Sequence, residues 1–526
     1  MKKKLLVLFY FVYGLKLFAQ SLQIQPYLQD MEPNSVVIMW QTDFGEESTV
    51  QWGETKALGK ESHGVVENIN YDDVRLHSVK LEGLQRFTTY FYRVQTGAVG
   101  SEIFQFRTPP FASDHHSFSF VAMSDMQKDS DAPQKFWEVA NKGVINFFDS
   151  RYGSELQDNL AMILIPGDLV GSGEVFEQWQ KDFFNPGEKL FSHVPTYPVP
   201  GNHERNSVFF FKYFTLPENG TPAHAEHWWY KDYGNLRILG LDSNDGYNDR
   251  SVQLTWLESV LEDCAQNSDI DFVFAQLHHP YKSELWIPGE EDFTGEVIHR
   301  LESFTDKTGK PSIHFFGHTH GYSRGQSRDH KHLWVNVATA GGSIDNWGEF
   351  EGKDYDEFTV TQDEYGFVVV DVNADKDDPH FTLKRISRGN QFKSRENEVT
   401  DSLIIWRNST TPEQPKGLGP SGEEVPLENV VLNASRFRSS KAAAFHAASH
   451  WQVSRSRDFD QLLMDSWKQY ENWYYNVNQQ ANDDLTDEII HRQLLPGEEY
   501  YWRVRYRDQY LNWSKWSDIQ TFKTKN

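Results

Sequence analysis

The middle of the chain contains five short apolar runs, and each run ends at a segment that carries Asp, Asn or His. These segments are Ser124-Asp125-Met126-Gln127, Pro166-Gly167-Asp168, Gly201-Asn202-His203-Glu204, Leu277-His278-His279-Pro280 and Gly317-His318-Thr319-His320. In an open α/β sheet, ligands bind beyond the carboxyl ends of the strands. If the runs are strands, their polar ends are therefore expected to converge on one point.

The surrounding pattern favours such a sheet. From about residue 118 to residue 388, strand-like runs such as FSFVAMSD and LAMILIPGD alternate with amphipathic stretches such as SVQLTWLESVLEDC. Apolar residues in the amphipathic stretches recur at helical spacing. This alternation predicts a layered α/β domain.

The residue types at the five strand ends favour a transition-metal centre. Carboxylate and amide oxygens mixed with neutral imidazoles suit Zn, Mn, Fe or Co better than Ca. Each segment alone has an ordinary explanation, because a strand-end Asp is commonly a helix cap and an HxH pair is common by chance. The conjunction of all five segments is what indicates a functional site.

Strand-like blocks flank this middle region. Residues 21–110 contain β-branched and aromatic runs such as SVVIMWQT at the spacing of a β-sandwich. A linker rich in Pro, Gly and Glu follows the middle region, and residues 409–526 again contain strand-like runs such as YYWRVRYRD. We therefore divide the chain at residues 110 and 408. The many Trp and Tyr residues of the last part either line a polysaccharide groove or form an ordinary sandwich core.

The first 20 residues have the pattern of an export signal, since Lys2, Lys3 and Lys4 precede the apolar run LLVLFYFVYG. The only cysteine, Cys264, excludes an intramolecular disulfide and a Cys-based zinc cluster. An exported chain without disulfides fits a bacterial periplasm or the medium. The net charge of −25 repels polyanions, which argues against a nucleic-acid or anionic-membrane binder.

In this order, the motifs D-x-Q, GD, GNHE, HHP and GHTH resemble those of the calcineurin-like metallophosphoesterases, and among them the purple acid phosphatases. Residues 317–324, GHTHGYSR, are similar to the closing GHxHxYxR segment of that family. The N-terminal block, with VVIMW, VQWG and a closing FRTPP, is similar to the fibronectin-like domain of those phosphatases. The resemblance implies an α/β metallophosphoesterase domain, a β-sandwich with flanking helices, between two all-β fibronectin-like sandwiches.

The resemblance also implies a binuclear metal site. Asp168 would bridge the two ions, and the other ligands would be Asp125, Gln127, Asn202, His278, His318 and His320. His203 would lie beside the phosphate and, with Asp168, be catalytic, since a protonated imidazole can assist the leaving oxygen. Asn202, Arg205, His279 and Arg324 are further candidate substrate contacts; for the last three an exposed or packing role is an equal alternative.

Two positions depart from the family pattern. The first motif usually reads D-x-H, but its third residue here is Gln127, a neutral side chain that either binds the first ion or orients Asp125. Purple acid phosphatases carry an iron-binding Tyr three residues after the bridging Asp, where this chain has Gly171. An iron–phenolate colour is therefore not expected, and the metals remain Zn, Mn or Fe.

The sequence predicts an exported phosphoesterase in which two cations activate a water for direct attack on phosphorus. Small phosphate monoesters are favoured because the N-terminal block is similar to that of acid phosphatases. One alternative is a phosphodiesterase acting on nucleotides or head-group diesters. Another, of a different class, is a polymer-binding protein on a catalytically weak scaffold.

Overall fold

The computed structural model describes residues 21–69, 74–247 and 249–526. The predicted export signal at residues 1–20 lies outside the described residues. Among the residues that are described, no helix combines the length and the apolar character needed to cross a membrane.

The N-terminal region is a sandwich of two sheets. Its strands are β1 (Leu22–Glu32), β2 (Ser35–Thr42), β3 (Thr49–Gly53), β4 (Lys60–His63), β5 (Val65–Asn68), β6 (Arg75–Glu82), β7 (Thr89–Thr96), β8 (Val99–Gly100) and β9 (Phe104–Arg107). One sheet has the order β1-β2-β6-β5 and the other β4-β3-β7-β8, with β9 also paired to β7. Alternate residues of β7, Tyr90, Tyr92 and Val94, point into the core, as the two-residue period of a strand requires.

The central region contains two larger sheets. Its strands are β10 (Phe118–Ala122), β11 (Ile163–Pro166), β12 (Thr196–Val199), β13 (Trp229–Tyr233), β14 (Leu236–Gly240), β15 (Phe272–Gln276), β16 (Ser312–Phe316), β17 (Tyr322–Gln326), β18 (His332–Val337), β19 (Phe358–Gln362), β20 (Tyr365–Asn373), β21 (His380–Gly389) and β22 (Ser394–Trp406). One sheet has the order β12-β11-β10-β20-β21-β22, and the other runs β13-β14-β15-β16-β18-β17-β19 before two further strands. The sheets pack face to face through Phe120, Phe274 and Phe381, whose ring centroids lie 5.0 to 6.0 Å apart.

Helices cover the outer faces of these sheets. They are α1 (Lys135–Trp137), α2 (Asn146–Tyr152), α3 (Leu156–Asn159), α4 (Phe176–Gln178), α5 (Asn185–Phe191), α6 (Val208–Tyr213), α7 (Arg250–Gln266) and α8 (Asp292–Thr308), with π-helical turns at Glu138–Ile145 and Trp179–Phe184. The amphipathic stretch predicted as a helix lies within α7. Asp249 caps α7 by accepting a hydrogen bond from the Val252 N–H, and α7 and α8 bury Leu257 and Leu301 in one apolar cluster. The predicted fold class, an α/β domain flanked by β domains, is confirmed.

The C-terminal region is a second β-sandwich. Its strands are β23 (Gly417–Gly419), β24 (Glu423–Val425), β25 (Val430–Ala434), β26 (His446–Ser454), β27 (Leu462–Gln469), β28 (Trp473–Tyr474), β29 (Val477–Asn478), β30 (Asp487–Ile490), β31 (Glu499–Asp508) and β32 (Gln520–Thr524). Trp451 and Trp502 are fully buried and stack at 5.9 Å, so these two rings belong to the sandwich core. The domain boundaries at residues 110 and 408 stay predictions.

The C-terminal sandwich is fixed to the central region by specific contacts. The hairpin β28–β29 extends the nine-stranded central sheet, where Trp473 pairs with Val360 of β19. The buried Arg507 guanidinium donates to the carbonyls of Ser327 and His330, at 3.0 and 2.9 Å. The C-terminal region therefore contacts the central region through both strand pairing and side-chain hydrogen bonds.

Two fully buried histidines lie in the core beneath α8. Nδ1 of His314 is 3.0 Å from Nε2 of His332, whose Nδ1 is 2.7 Å from Oγ of Ser312. Burial lowers the pKa of His314 to about 3, and burial together with the neighbouring His314 lowers the pKa of His332 well below its usual value. Both rings are therefore neutral in the folded protein at any pH near neutrality.

These histidines should make the fold sensitive to acid. An unfolded histidine takes up a proton near pH 6.5, whereas the buried ones do not, so each lowers the free energy of unfolding by up to about 1.4 kcal/mol per pH unit below that point. Replacing His314 by Phe keeps a ring against Phe316 and Trp334. The variant should lose less stability than the wild type in urea titrations between pH 7 and pH 5. The exposed control His299→Gln should lose as much stability between pH 7 and pH 5 as the wild type. An equal loss in His314→Phe would contradict this explanation.

Candidate metal centre

The five polar segments follow strands that end at the same edge of the two central sheets. β10, β11 and β12 are parallel in one sheet, and β14, β15 and β16 are parallel in the other. Two sets of groups lie together there, each with ligand atoms within 4.8 Å of one another: Asp125, Asp168 and His278, and His278, His279 and His318. The structure therefore brings together segments that are up to about 190 residues apart in the sequence.

Three of these residues have a left-handed backbone, which is costly for a residue with a Cβ atom. The φ angles of Asp125, Asp168 and His318 are 58°, 57° and 70°. Glycines make the close approach of these loops possible. A Cβ on Gly317 would lie 2.4 Å from Oδ2 of Asp125, and one on Gly201 would lie 2.2 Å from Oδ1 of Asp168.

Asp168 lies at the centre of the cluster and is almost fully buried. Its Oδ1 accepts a hydrogen bond of 2.9 Å from the backbone N–H of His203, and its Oδ2 lies 3.3 Å from Nε2 of His278. Burial raises the pKa of this carboxyl, but the adjacent His278 and His203 lower it further and hold it below its usual value. The carboxylate therefore remains charged at neutral pH.

Glu204 holds the loops after β11 and β12 together, a role that the sequence analysis did not assign. Its buried carboxylate accepts hydrogen bonds from the backbone N–H groups of Asp168, Leu169 and Gly201, at 2.9, 2.9 and 2.7 Å. Burial and the Asp168 charge raise the pKa of Glu204 to about 7, although the N–H donors from Gly201 and Leu169 lower it. The sequence signal for this role of Glu204 was its place as the last residue of the GNHE motif.

His278 has its hydrogen-bonding pattern fixed by the backbone. Its Nδ1 donates to the Pro166 carbonyl at 2.9 Å, so Nε2 is the ring nitrogen that faces Oδ1 of Asn202 at 2.8 Å and the Asp168 carboxylate. Burial lowers the pKa of His278, but the Asp168 and Asp125 carboxylates raise it to about 9. A proton or a metal ion at Nε2 therefore offsets the negative charge of these carboxylates.

His320 is arranged in the same way on the other side. Its Nδ1 donates to the Ser343 carbonyl at 2.6 Å, and its Nε2 lies 3.1 Å from Oδ1 of Asp125. Asp345, which the sequence analysis also missed, accepts a 2.7 Å hydrogen bond from the His320 backbone N–H. Burial lowers the pKa of His320, but Asp125 and Asp345 raise it to about 10.

Gln127 lies beside His320, with its Nε2 3.0 Å from Nε2 of that histidine. Its Oε1 is buried and has no hydrogen-bond partner among the described residues. An orphaned buried oxygen and two imidazole nitrogens that face carboxylates are the donor set that a divalent metal satisfies. The residues present therefore fit a metal centre.

Comparisons with known proteins agree with this geometry. Residues 22–108 match the family model described as "Purple acid Phosphatase, N-terminal domain", and residues 112–322 match "Calcineurin-like phosphoesterase". The chain belongs to the purple acid phosphatase-like metallophosphoesterases. The first model accounts for the N-terminal sandwich and the second for the segments from Asp125 to His320.

Two curated relatives of this metallophosphoesterase come from Arabidopsis thaliana. It is 24% identical to "Probable inactive purple acid phosphatase 27" over 63% of this chain and 58% of the relative, and 26% identical to "Purple acid phosphatase 22" over 48% and 54%. The chain thus spans about half the length of the curated relatives it matches.

Two solved structures share the fold of this metallophosphoesterase. Purple acid phosphatase PPD1 from yellow lupin (Lupinus luteus) has a TM-score of 0.58 and 16% identity, with 74% of each chain covered. PhoD has a TM-score of 0.55 and 10% identity, with 73% of this chain and 90% of PhoD covered. At these identities the likeness concerns the fold.

The remaining candidate residues of the metallophosphoesterase lie in different surroundings. Asn202 is exposed at the cluster, and the partly exposed His203 lies at its edge. The exposed Arg205 pairs with Glu174 at 3.4 Å. The buried Arg324 donates to Asp401 at 2.6 and 3.1 Å, which neutralises its charge and favours the packing alternative.

His279 belongs to the cluster, but its ring is neutral near neutral pH and adds no positive charge there. Its Nδ1 lies 2.9 Å from the Ser243 hydroxyl, and its ring centroid lies 4.5 Å from that of His318. Burial and the neighbouring His278 lower the pKa of His279 to about 3. The indole of Trp286 covers His318 at 5.1 Å and forms an aromatic rim.

Proposed function

We propose that the protein hydrolyses small phosphate monoesters at this centre when two metal ions are bound. The observation that supports the proposal is the pair of imidazole nitrogens, on His278 and His320, that face the carboxylates of Asp168 and Asp125. The ligands would be Asp125, Gln127, Asp168, Asn202, His278, His318 and His320. When bound, the metal pair would supply positive charge that polarises the phosphoryl group and activates the attacking water.

His203 is the side chain best placed to handle a proton. Its Nδ1 donates to the Gly171 carbonyl at 2.7 Å, so its Nε2 is the atom left to face substrate. That Nε2 lies 3.8 Å from Oδ2 of Asp168, and 37% of the side chain is exposed. A protonated Nε2 in this position would donate to the oxygen of the departing alcohol.

Gly171 stands at the position of the iron-binding tyrosine and offers no side-chain ligand, while its backbone carbonyl accepts the hydrogen bond from His203. A Cβ on Gly171 would lie 3.3 Å from Oε1 of Gln178, which itself accepts a hydrogen bond from the Ser172 N–H. The segment serves as a backbone acceptor for His203. We therefore propose Zn or Mn, or iron without phenolate ligation, as the bound metals.

The proposal extends to export and to substrate type. The pattern of residues 2–14 supports export to a periplasm or the medium, and the N-terminal sandwich supports a monoesterase. The test is hydrolysis of p-nitrophenyl phosphate and of its bis-ester by metal-stripped protein refilled with Zn, Mn or Fe. Metal-dependent release from the monoester is expected; faster release from the bis-ester would favour the diesterase. No turnover of either ester with any metal would overturn the proposal.

Replacing His203 by Ala should separate proton transfer from metal binding. We expect kcat for a monoester with a poor leaving group to fall by about 10²–10⁴-fold, the usual contribution of a positioned acid. Metal content should stay close to the wild-type value, because the hydrogen bond that holds Asp168 comes from the His203 backbone N–H and survives the substitution. The loss should be smaller for p-nitrophenyl phosphate, because the oxygen of its p-nitrophenol leaving group needs less protonation. Equal losses for both leaving groups would contradict the acid role, and the exposed His299→Ala variant is the control.

A further inference from the structure

A cavity of about 230 Å³ adjoins the candidate metal centre at Gln127. Met126, Gln127 and Gly341 form its inner wall, and the Gln127 amide reaches His320 from that wall. The outer walls come from the segment that leads into α1 and from the π-helical turn at Trp179–Phe184. The cavity therefore lies beside the candidate metal ligand Gln127.

Three lysines line this cavity, in a protein whose net charge is −25. Lys128 lies 3.6 Å from the Asp182 carboxylate, and Lys135 lies 2.9 Å from Glu138. Lys181 is exposed, and no carboxylate of the described residues lies within ion-pair distance of it. Because Asp182 is the single acidic residue of the lining, the cavity carries an excess of positive charge.

The rest of the lining suits the carbon part of a ligand. The indole of Trp137 is 40% exposed, and Phe136 beside it is buried. An apolar wall next to ammonium groups can hold a short carbon chain that ends in an anion.

We propose that this cavity binds a second anionic group, a phosphate or a carboxylate, on the organic part of the ester. The inference rests on the proposed phosphatase function and names its substrate class: monoesters of alcohols that carry another negative charge. The phosphoryl group would lie at the metal ligands, the carbon chain would pass Gln127, and Lys128 and Lys181 would bind the distal anion. Long-range repulsion from the acidic surface opposes such substrates, so a preference for them needs a local site.

The test compares two esters of similar size, 3-phosphoglycerate and glycerol 3-phosphate, which differ in the carboxylate. The wild type should show a kcat/KM about tenfold higher for 3-phosphoglycerate, as a single charge-assisted contact would give. The double variant Lys128→Gln/Lys181→Gln should lose this preference, because its KM for 3-phosphoglycerate should rise to the value for glycerol 3-phosphate. The control Lys56→Gln/Lys376→Gln removes the same charge from distant exposed positions and should keep the preference.

The outcomes separate the cavity from the catalytic proposal. Turnover of p-nitrophenyl phosphate without a preference for 3-phosphoglycerate, or with a preference that survives in the double variant, would overturn the cavity assignment alone. If no ester is turned over, calorimetry can still measure how tightly the metal-loaded protein binds 3-phosphoglycerate and glycerol 3-phosphate. Binding about tenfold tighter for 3-phosphoglycerate, lost in the double variant, would then support the site, and equal binding would overturn it.

Discussion

Replacing Asp168 by Asn is expected to lower turnover of a phosphate monoester by about a thousandfold or more, equivalent to about 4 kcal/mol of barrier. Asn has the same shape, and its oxygen can still accept the hydrogen bond from the His203 N–H. What is lost is the negative charge that faces His278 in the buried centre. Without that charge the cluster cannot balance two cations, so the bound metal should fall as well.

The measurement pairs steady-state rates with metal content by mass spectrometry after equilibration with Zn or Mn. Asp149→Asn, on the exposed face of α2, removes the same charge away from the cluster and should match the wild type in both. The unfolding midpoint of metal-free Asp168→Asn should remain close to that of the metal-free wild type. Full metal content together with full activity in Asp168→Asn would rule out the bridging position given to this residue.

The strand-end pattern made much of the site predictable. An apolar run followed by Asp or His is a local feature, and the carboxyl ends of parallel strands share one edge of a sheet. Asp125, Asp168, His278, His318 and His320 could thus be placed together before any coordinates were known. The structure brings these side chains together, and the roles assigned to them stay predictions.

Residues whose roles depend on distant backbone groups could not be found in this way. Asp345 lies 25 residues after His320, in a loop without a motif, and its function is visible only through the His320 N–H that it binds. The partners of Arg324 show the same limit, because Asp401 and Glu471 come from a later strand and from the C-terminal region. A sequence pattern reports periodicity and residue type, whereas these contacts depend on how separate segments pack.

The C-terminal region illustrates this further. Its sandwich pattern was evident, but a hairpin that leaves the sandwich to extend the central sheet has no local signature. Tyr475 of that hairpin packs against Trp347, in the loop that carries Asp345. The C-terminal region thus supports the loop beside His320, which links a part of the chain without metal ligands to the geometry of the centre.

Replacing Glu204 by Ala should both destabilise the protein and empty the metal centre. The change removes the acceptor of three buried N–H groups, on Asp168, Leu169 and Gly201. Each buried donor left without a partner costs about 1–3 kcal/mol, so the free energy of unfolding should fall by roughly 3 kcal/mol or more. The left-handed backbone of Asp168 is held by these bonds, and its release should lower metal content and turnover together.

A graded series makes this prediction specific. Glu204→Gln keeps the volume and one acceptor oxygen but turns an N–H₂ group toward a backbone donor, so its stability and activity should lie between those of the wild type and Glu204→Ala. Glu174→Ala is the matched control, because Glu174 is exposed and pairs only weakly with Arg205; its stability should change by no more than about 0.5 kcal/mol. Urea unfolding of the metal-free proteins isolates the hydrogen bonds from the metal. If metal-free Glu204→Ala unfolds at the wild-type midpoint, the carboxylate does not hold the two loops together, and the left-handed turn at Asp168 must be maintained by packing of Leu169 in the core.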